Sequence, residues 1–198
     1  MLRSEQVKKL SKFFILFFLI FNFKIFSYSE DINQIELDGM SLDDSLLNFT
    51  SKKEIKKNIL QYFEDERDYY IVFFDKNLSQ YDDFEIYLKT NDNSYKVKGI
   101  NAGIYPKSLK ECLNTMEEIS KDISSTLGVT LTDDNGMHNF YKNSFINGKT
   151  GKLDGGYINI DCMFFDDKDK KKYPNLVDNL AVMIKSDEIE KWFQSGYK

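Results

Sequence analysis

Histidine, arginine, proline, cysteine and tryptophan are all scarce in this 198-residue chain, which holds 1 His, 2 Pro, 2 Cys and 1 Trp, with arginine only at Arg3 and Arg67. A lone histidine, His138, cannot build a multi-histidine metal centre or a histidine relay, which excludes zinc hydrolase chemistry. The near absence of arginine removes the bidentate forks that read phosphates and guanines, and together with a formal charge of -5 it argues against nucleic acid and anionic lipid as partners. No segment is dominated by Pro, Gly or Ser and 15% of residues are aromatic, so the composition is that of a folded chain. Its length and its 41% hydrophobic content suffice for one or at most two small domains with an ordinary buried core.

What is present begins with a leader. Arg3, Lys8, Lys9 and Lys12 precede Phe13–Phe23, a run in which Asn22 alone is not apolar. A membrane-spanning helix needs about 20 apolar residues and a signal-peptide core roughly 7 to 15, and Lys24 closes this run at the shorter length. Ser27 and Ser29 put small side chains at the third and first positions before a cut after Ser29. Residues 1–29 are therefore expected to be a signal peptide and 30–198 the mature protein, periplasmic or secreted. The basic, bulky approach Lys24-Ile25-Phe26 leaves a second expectation open, an uncleaved leader that tethers the chain to a membrane. Removing residues 1–29 takes away Arg3, Lys8, Lys9, Lys12, Lys24 and Glu5, leaving 22 basic residues against 31 acidic and a charge of -9.

Along the mature chain, Glu30–Met40 reads as a lead-in or edge strand. Ser41 with Asp43 and Asp44 predicts a first helix burying Leu42, Leu46 and Phe49, and the capping box Ser51-Lys52-Lys53-Glu54 a second one burying Ile55, Ile59 and Phe63. Tyr69–Phe74 is a dense aromatic and β-branched strand; Phe84, Ile86 and Leu88 alternate with polar neighbours; Asn91-Asp92-Asn93 makes a turn; and the alternation of the next strand slips near Gly99, the mark of a bulge. Lys107–Leu127 is a long helix with Cys112, Leu113, Met116, Ile119, Ile123 and Leu127 on the stripe begun by Leu109, and Gly128 is its expected C-terminal stop. His138–Ile146 reads as a strand, Asn147–Gly151 as a loop, Gly155-Gly156 as the opening of a strand with Ile158, Ile160, Cys162 and Phe164 on one face, and Lys168–Lys172 as a solvated loop. Leu180, Val182 and Ile184 form a last strand before a short closing helix, Asp187–Phe193. This order reads equally as one α+β domain, an antiparallel sheet packed against helices, or as two αβ-meander repeats with halves 37–104 and 107–194.

Few residues point to chemistry. Cys112 and Cys162 both fall on apolar faces, and in an exported protein a disulfide between them is expected; closing a loop of about 51 residues stabilises by roughly 4 kcal/mol through chain entropy. Gly148-Lys149-Thr150 lacks the leading glycine of a phosphate loop, and Asp133-Asp134-Asn135-Gly136 lacks the first and twelfth ligands of a calcium loop, so neither a cofactor nor a metal site is expected. The acidic pairs Asp82-Asp83 and Asp166-Asp167 adjoin strand ends, and a hydrolase would need two of them in one pocket roughly 5 to 10 Å apart. Tyr69, Tyr70, Tyr87, Tyr157 and Phe165 form an aromatic strip on the outer sheet face, which is either a binding surface for a protein or glycan or the floor beneath the closing helix with Trp192 and Phe193.

Leu37-x-Gly39-Met40-Ser41, followed by two short helices and three antiparallel strands, resembles over Leu37–Ile104 the repeat of the β-lactamase-inhibitor-protein-like fold, which recurs in outer-membrane-assembly lipoproteins of the SmpA/OmlA type. The chain departs from those lipoproteins in having no cysteine near the leader's end. The resemblance implies an exported binding or assembly module of the cell envelope and transfers no site residues. A non-catalytic protein that binds a protein or envelope component through its sheet face is the expectation; the alternatives are a small carboxylate-dependent hydrolase and a membrane-tethered module.

Overall fold

The alternating apolar rows at Phe84–Leu88 and Ile158–Phe164 become parts of one sheet, with two strands between them. The computed structural model describes residues 31–60, 68–74, 80–138 and 141–196; the expected leader with its cleavage site, Phe63 and Arg67 lie outside the described residues. Among the described residues nine strands are formed: β1 (Ile59–Leu60), β2 (Tyr69–Phe74), β3 (Asp83–Lys89), β4 (Val97–Ile104), β5 (Thr132–Asp133), β6 (Gly136–Met137), β7 (Phe145–Leu153), β8 (Gly156–Phe164) and β9 (Asn179–Ser186). They pair antiparallel in the order β1-β2-β3-β4-β9-β8-β7-β5, with β6 also on β7. Four α-helices accompany them: α1 (Lys52–Lys57), α2 (Leu109–Leu127), α3 (Asp167–Lys172) and α4 (Asp187–Gln194). The fold is α+β, and β9 pairs with both β4 and β8, so strands from both parts of the sequence share one sheet.

The inner face carries the main core. Ile86, Ile100, Ile158, Ile160, Val182 and Ile184 are fully buried there, against Cys112 and Met116 of α2 and against Ile32, Met40 and Leu46 of the N-terminal segment. Ser108 starts α2 by accepting the Glu111 amide at 3.2 Å, and Gly128, at φ 62°, ends it in the left-handed conformation that glycine adopts without strain. Cys112 and Cys162 are bonded with Cα atoms 5.9 Å apart, tying α2 to β8. On the outer face, Ser186 caps α4 through the Ile189 amide, and Ile189 and Trp192 bury Tyr69, Ile71, Tyr87 and Met183 beneath them.

Several expectations give way. Ser41–Phe49 forms no α-helix: Asp43 and Leu46 donate their amides to Val97 and Tyr95 carbonyls, the Val97 amide donates to Asp44, and a single 3-10 turn remains at Leu46–Asn48. Pairing with the start of β4 thus outcompetes local helix propensity. The Ser51–Glu54 cap is present, but α1 stops at Lys57 and Ile59 enters β1. Asn147–Gly151 is the middle of β7, where a Cβ on Gly148 would collide with the Asp161 carboxylate and the Asp134 carbonyl, so the glycine permits close packing and does not mark a turn. Of the strand expected over His138–Ile146, Tyr141–Ser144 instead forms a turn, where Asp169 draws in Asn143 and Ser144, and β7 begins at Phe145. Lys168–Lys172 is helical, with Asp166 as cap, acids in the first turn and lysines in the last, an arrangement that complements the helix dipole. The slip near Gly99 is a bulge: Tyr87 pairs with Gly99 and Leu88 with Val97, which leaves Lys98 unmatched in the ladder. Leu109, the first residue of the stripe, is exposed.

Replacing both cysteines by alanine releases a loop of about 51 residues and is expected to lower unfolding free energy by roughly 3 to 4 kcal/mol, read as a lower urea midpoint with a steeper slope because the unlinked denatured chain exposes more surface. Reduction of the native protein should lower the midpoint similarly and leave the variant unaffected.

Candidate functional site

Outer-face side chains come from every second residue of each strand, and one cross-strand row is unusual in being built from small residues and acids. Gly148, Asp161, Ala181, Gly103 and Asp83 stand opposite one another from β7 to β3. The neighbouring row runs Asn159, Met183, Asn101, Glu85 and Phe73. Because Gly103 and Ala181 raise nothing above the sheet, a cavity of about 310 Å³ opens over them, with Asp83, Glu85, Asn101 and Asn179 on its floor. Asn101 donates its side-chain amide to Glu85 Oε2 at 3.2 Å. Asp83 leans over Gly103 and accepts the Tyr105 hydroxyl, while Asp82 accepts the Tyr105 amide at 2.8 Å.

The walls are aromatic. His138 and Tyr141 face the cavity from the turn before β7, with Phe165 beyond β8 and residues 175–177 closing the side. Tyr141 packs against Phe165 and Tyr173 with ring centroids 5.3 Å from each, and its amide donates to His138 Nδ1 at 3.3 Å. Buried Asp169 holds this turn, accepting the Asn143 backbone and side-chain amides at 3.0 and 2.8 Å and the Ser144 hydroxyl at 2.7 Å. Asp178 fixes the opposite wall by accepting the Phe165 amide at 2.8 Å and pairing with Lys170 at 2.7 Å.

Electrostatically the site is negative. Burial lowers the His138 pKa, with Asp169 pulling the other way, so the ring is held neutral. The Tyr105 phenol is pushed above its usual range by burial, by its bond to Asp83 and by the charges of Asp83, Asp82 and Glu85; Tyr141 is raised by burial, Tyr173, Asp169 and Glu85. Beyond Ala181, Asp161 is raised to about 7, chiefly by burial, which Lys185 opposes and Asp134 reinforces. Among the described residues no group of three or more His, Cys, Asp or Glu side chains is placed to hold a metal ion.

The residues singled out from sequence are dispersed. Tyr69 and Tyr87 are buried under the closing helix, their rings 5.3 Å from Trp192 and 5.6 Å from Phe193, and the Tyr69 hydroxyl donates to Glu188 at 3.1 Å. Tyr70 packs with the inner-face core, so it does not belong to the strip. Tyr157 lies under the Lys152 ammonium, 4.2 Å from its ring centroid, and Phe165 reaches the cavity. Of the four paired acids, Asp83 lines the cavity, Asp82 anchors Tyr105, Asp166 caps α3 and Asp167 is exposed in its first turn. Glu85, Asn101, Tyr105 and Tyr141 escaped the sequence reading; the available signal was a glycine, Gly103, inside a strand, which marks a close approach to the backbone.

These features define an α+β protein whose sheet is covered on one face and partly open on the other. Comparison with known proteins finds no match: no protein family fits the chain, and neither a curated protein nor a solved structure is significantly similar to it.

Because the Asp161 carboxyl titrates near 7 when folded and near 3.8 when unfolded, the folded state binds the extra proton between those values. Its contribution to stability is therefore greatest below pH 4 and is lost as pH rises to 7. Asp161→Asn is expected to flatten that part of the stability profile and to raise the melting midpoint at pH 8 above that of the native protein, as thermal melts from pH 4 to 8 would show.

Proposed function

We propose that this chain is an exported, non-catalytic binding module of the bacterial cell envelope, periplasmic or secreted, whose working surface is the uncovered part of the outer sheet face. The observation that carries the reading is the cavity over Gly103 and Ala181, with its polar floor and aromatic walls. Clefts of about 300 Å³ and above with convergent polar groups are ordinary ligand sites. Tyr105 and Val177 are exposed at its margin, so a partner meets apolar surface around a polar centre. The Cys112–Cys162 bond supports an oxidising compartment. Among the described residues no helix is long and apolar enough to cross a membrane. The class is also the one that the resemblance over residues 37–104 implies, although of its two expected short helices α1 alone is formed.

One observation favours the hydrolase reading: Asp83 and Glu85 line the same cavity. Both project from one strand, however, and so approach a ligand from the same side, whereas acid and base in glycoside hydrolysis flank the scissile bond. Binding is the better account of the pair.

Expressed with its own leader in a Gram-negative host, the protein should be released by osmotic shock as a species beginning at Glu30 that takes up thiol label after reduction alone. A photo-cross-linking residue at exposed Val177 should then trap a discrete envelope species that the same probe at Lys56, on exposed α1, does not. A full-length membrane-bound species with freely labelled thiols would overturn the localisation, and equal trapping at both positions would overturn the choice of surface.

A further inference from the structure

The lysines of this chain are unevenly used. Lys98, Lys149, Lys152, Lys170 and Lys185 each pair with a carboxylate. Lys52, Lys53, Lys56 and Lys57 of α1 are all exposed, and among the described residues none of the four has a carboxylate partner. At about 100° per residue they fall within roughly 140° of the helix circumference, while fully buried Ile55 points the other way and fixes which side meets solvent. Glu54, the one acid of α1, is half-buried and lies outside that arc. The acids just before the helix are engaged elsewhere, Asp43 with Lys98 at 2.8 Å and Asp44 with the Ser41 amide at 2.9 Å. Lys52 stands 5.3 Å from the Tyr95 ring centroid, a contact that leaves its charge in place.

Apolar side chains flank the lysines. Among the described residues nine large apolar side chains are exposed, and three of them, Leu47, Phe49 and Ile59, fall within residues 47–59. The six residues of α1 rise only about 9 Å, so Phe49 and Ile59 stand near its two ends with the lysines between them. Ile59 is opposite Val72, whose side chain belongs to the inner core with Leu46 and Ile55, so it projects on that side at the β1 edge of the sheet.

We infer that α1 and its two apolar flanks form a docking surface for an anionic phospholipid membrane, the lysines lying against the headgroups and Leu47, Phe49 and Ile59 entering the interface. Whole-chain charge and the scarcity of arginine argue against such a partner, but both are averages: residues 47–59 carry four lysines and one glutamate, in a mature chain of charge -9. A lysine is a point charge on a flexible stem, which follows a fluid headgroup layer without the fork geometry of arginine. An acidic protein or a nucleic acid would use the lysines and leave the three apolar side chains in water, whereas a bilayer interface uses both. This surface is separate from the cavity over Gly103 and Ala181 and does not depend on it. A cross-linking probe at Lys56 would meet lipid there and no second polypeptide.

The test is co-sedimentation of the oxidised protein with vesicles of phosphatidylcholine alone and of equimolar phosphatidylglycerol and phosphatidylcholine. Binding is expected at least about tenfold tighter on the anionic vesicles and lost as salt rises from about 0.05 to 0.5 M. Lys53→Gln and Lys56→Gln should each weaken it about fivefold, and Phe49→Ser about tenfold, with thermal midpoints close to native. Lys168→Gln and Lys171→Gln, exposed on the other lysine-rich helix, α3, should change nothing. Equal binding to both vesicles, or no binding to either, overturns the inference. Anionic binding that survives the α1 substitutions overturns the choice of surface. Binding that is unchanged in Phe49→Ser and displaced equally well by polyglutamate or by random-sequence DNA overturns the membrane in favour of a polyanionic macromolecule.

Discussion

Strand β9 is the constraint on which the architecture depends. It lies between β4 and β8, and all of its residues except the terminal Asn179 and Ser186 are buried. Its side chains are buried on both faces, and the two covers are unequal in kind. Leu180, Val182 and Ile184 face the inner core under α2, whereas Ala181, Met183 and Lys185 face outward, one toward the cavity and two toward α4. Lys185 is buried with an ion pair to Glu190 at 2.7 Å, so α4 satisfies the one charge that β9 places beneath it. Breaking that pair by removing Glu190 would leave a desolvated ammonium, which is why the closing helix is bound to this strand by more than apolar contact.

Element lengths explain why the outer face is incompletely covered. The sheet is eight strands across, β5 and β6 both lying on β7, and so about 34 Å wide at about 4.8 Å per spacing, whereas an eight-residue helix is about 12 Å long. The 19 residues of α2 reach about 28 Å and, with the N-terminal segment, suffice for the inner face. On the outer face α4 shields Tyr69, Ile71, Tyr87 and Met183, and the remaining area falls to two irregular segments, the turn ending at Ser144 and the loop around 175–177. Such segments have no ladder of their own and must be tied down by side chains, which is the part played by Asp169 and Asp178. The cavity is the area that neither the helix nor the two tied segments reach.

The legible parts of the fold were those in which periodicity and end signals agreed. The α2 stripe, its Gly128 end, the strands around Ile86, Ile160 and Val182, the closing helix and the cysteine pair all follow from local pattern, because each pattern serves the same core. Apart from Lys168–Lys172, which its own Asp166 cap makes helical, the main failures come from long-range contacts overriding a local preference. Ser41–Phe49 has a helix-start signature but gives its amides to Val97 and Tyr95, far along the chain. Gly148 and Gly151 resemble a turn until the neighbours across the sheet are known: Asp161 leans over one, and Leu131 and Val129 crowd the other. The site was less legible still. Phe165 and Asp83 were singled out for a strip and for an acid pair, and the structure places both at the cavity, yet their neighbours Glu85, Asn101 and Tyr141 carry no motif. Side chains brought together by strand register leave no spacing signal along the sequence.

The same register accounts for both the shape and the charge of the open face. Gly148 and Gly103 stand in the same cross-strand row as Asp161 and Asp83, each beside one of the acids, and a Cβ at either glycine would collide with the adjoining carboxylate. The glycines therefore let the acids lie flat against the backbone, where projecting side chains would otherwise lift them toward solvent. Flattening lowers the floor and keeps the carboxylates near it, and for Asp161 it costs enough hydration to move its titration to about 7. Depth and negative charge are thus one structural feature, produced by placing glycine beside aspartate across strands. A substitution that fills the glycine would both raise the floor and turn the acid outward, so the shape and charge of the face reside in its smallest residues as much as in its acids.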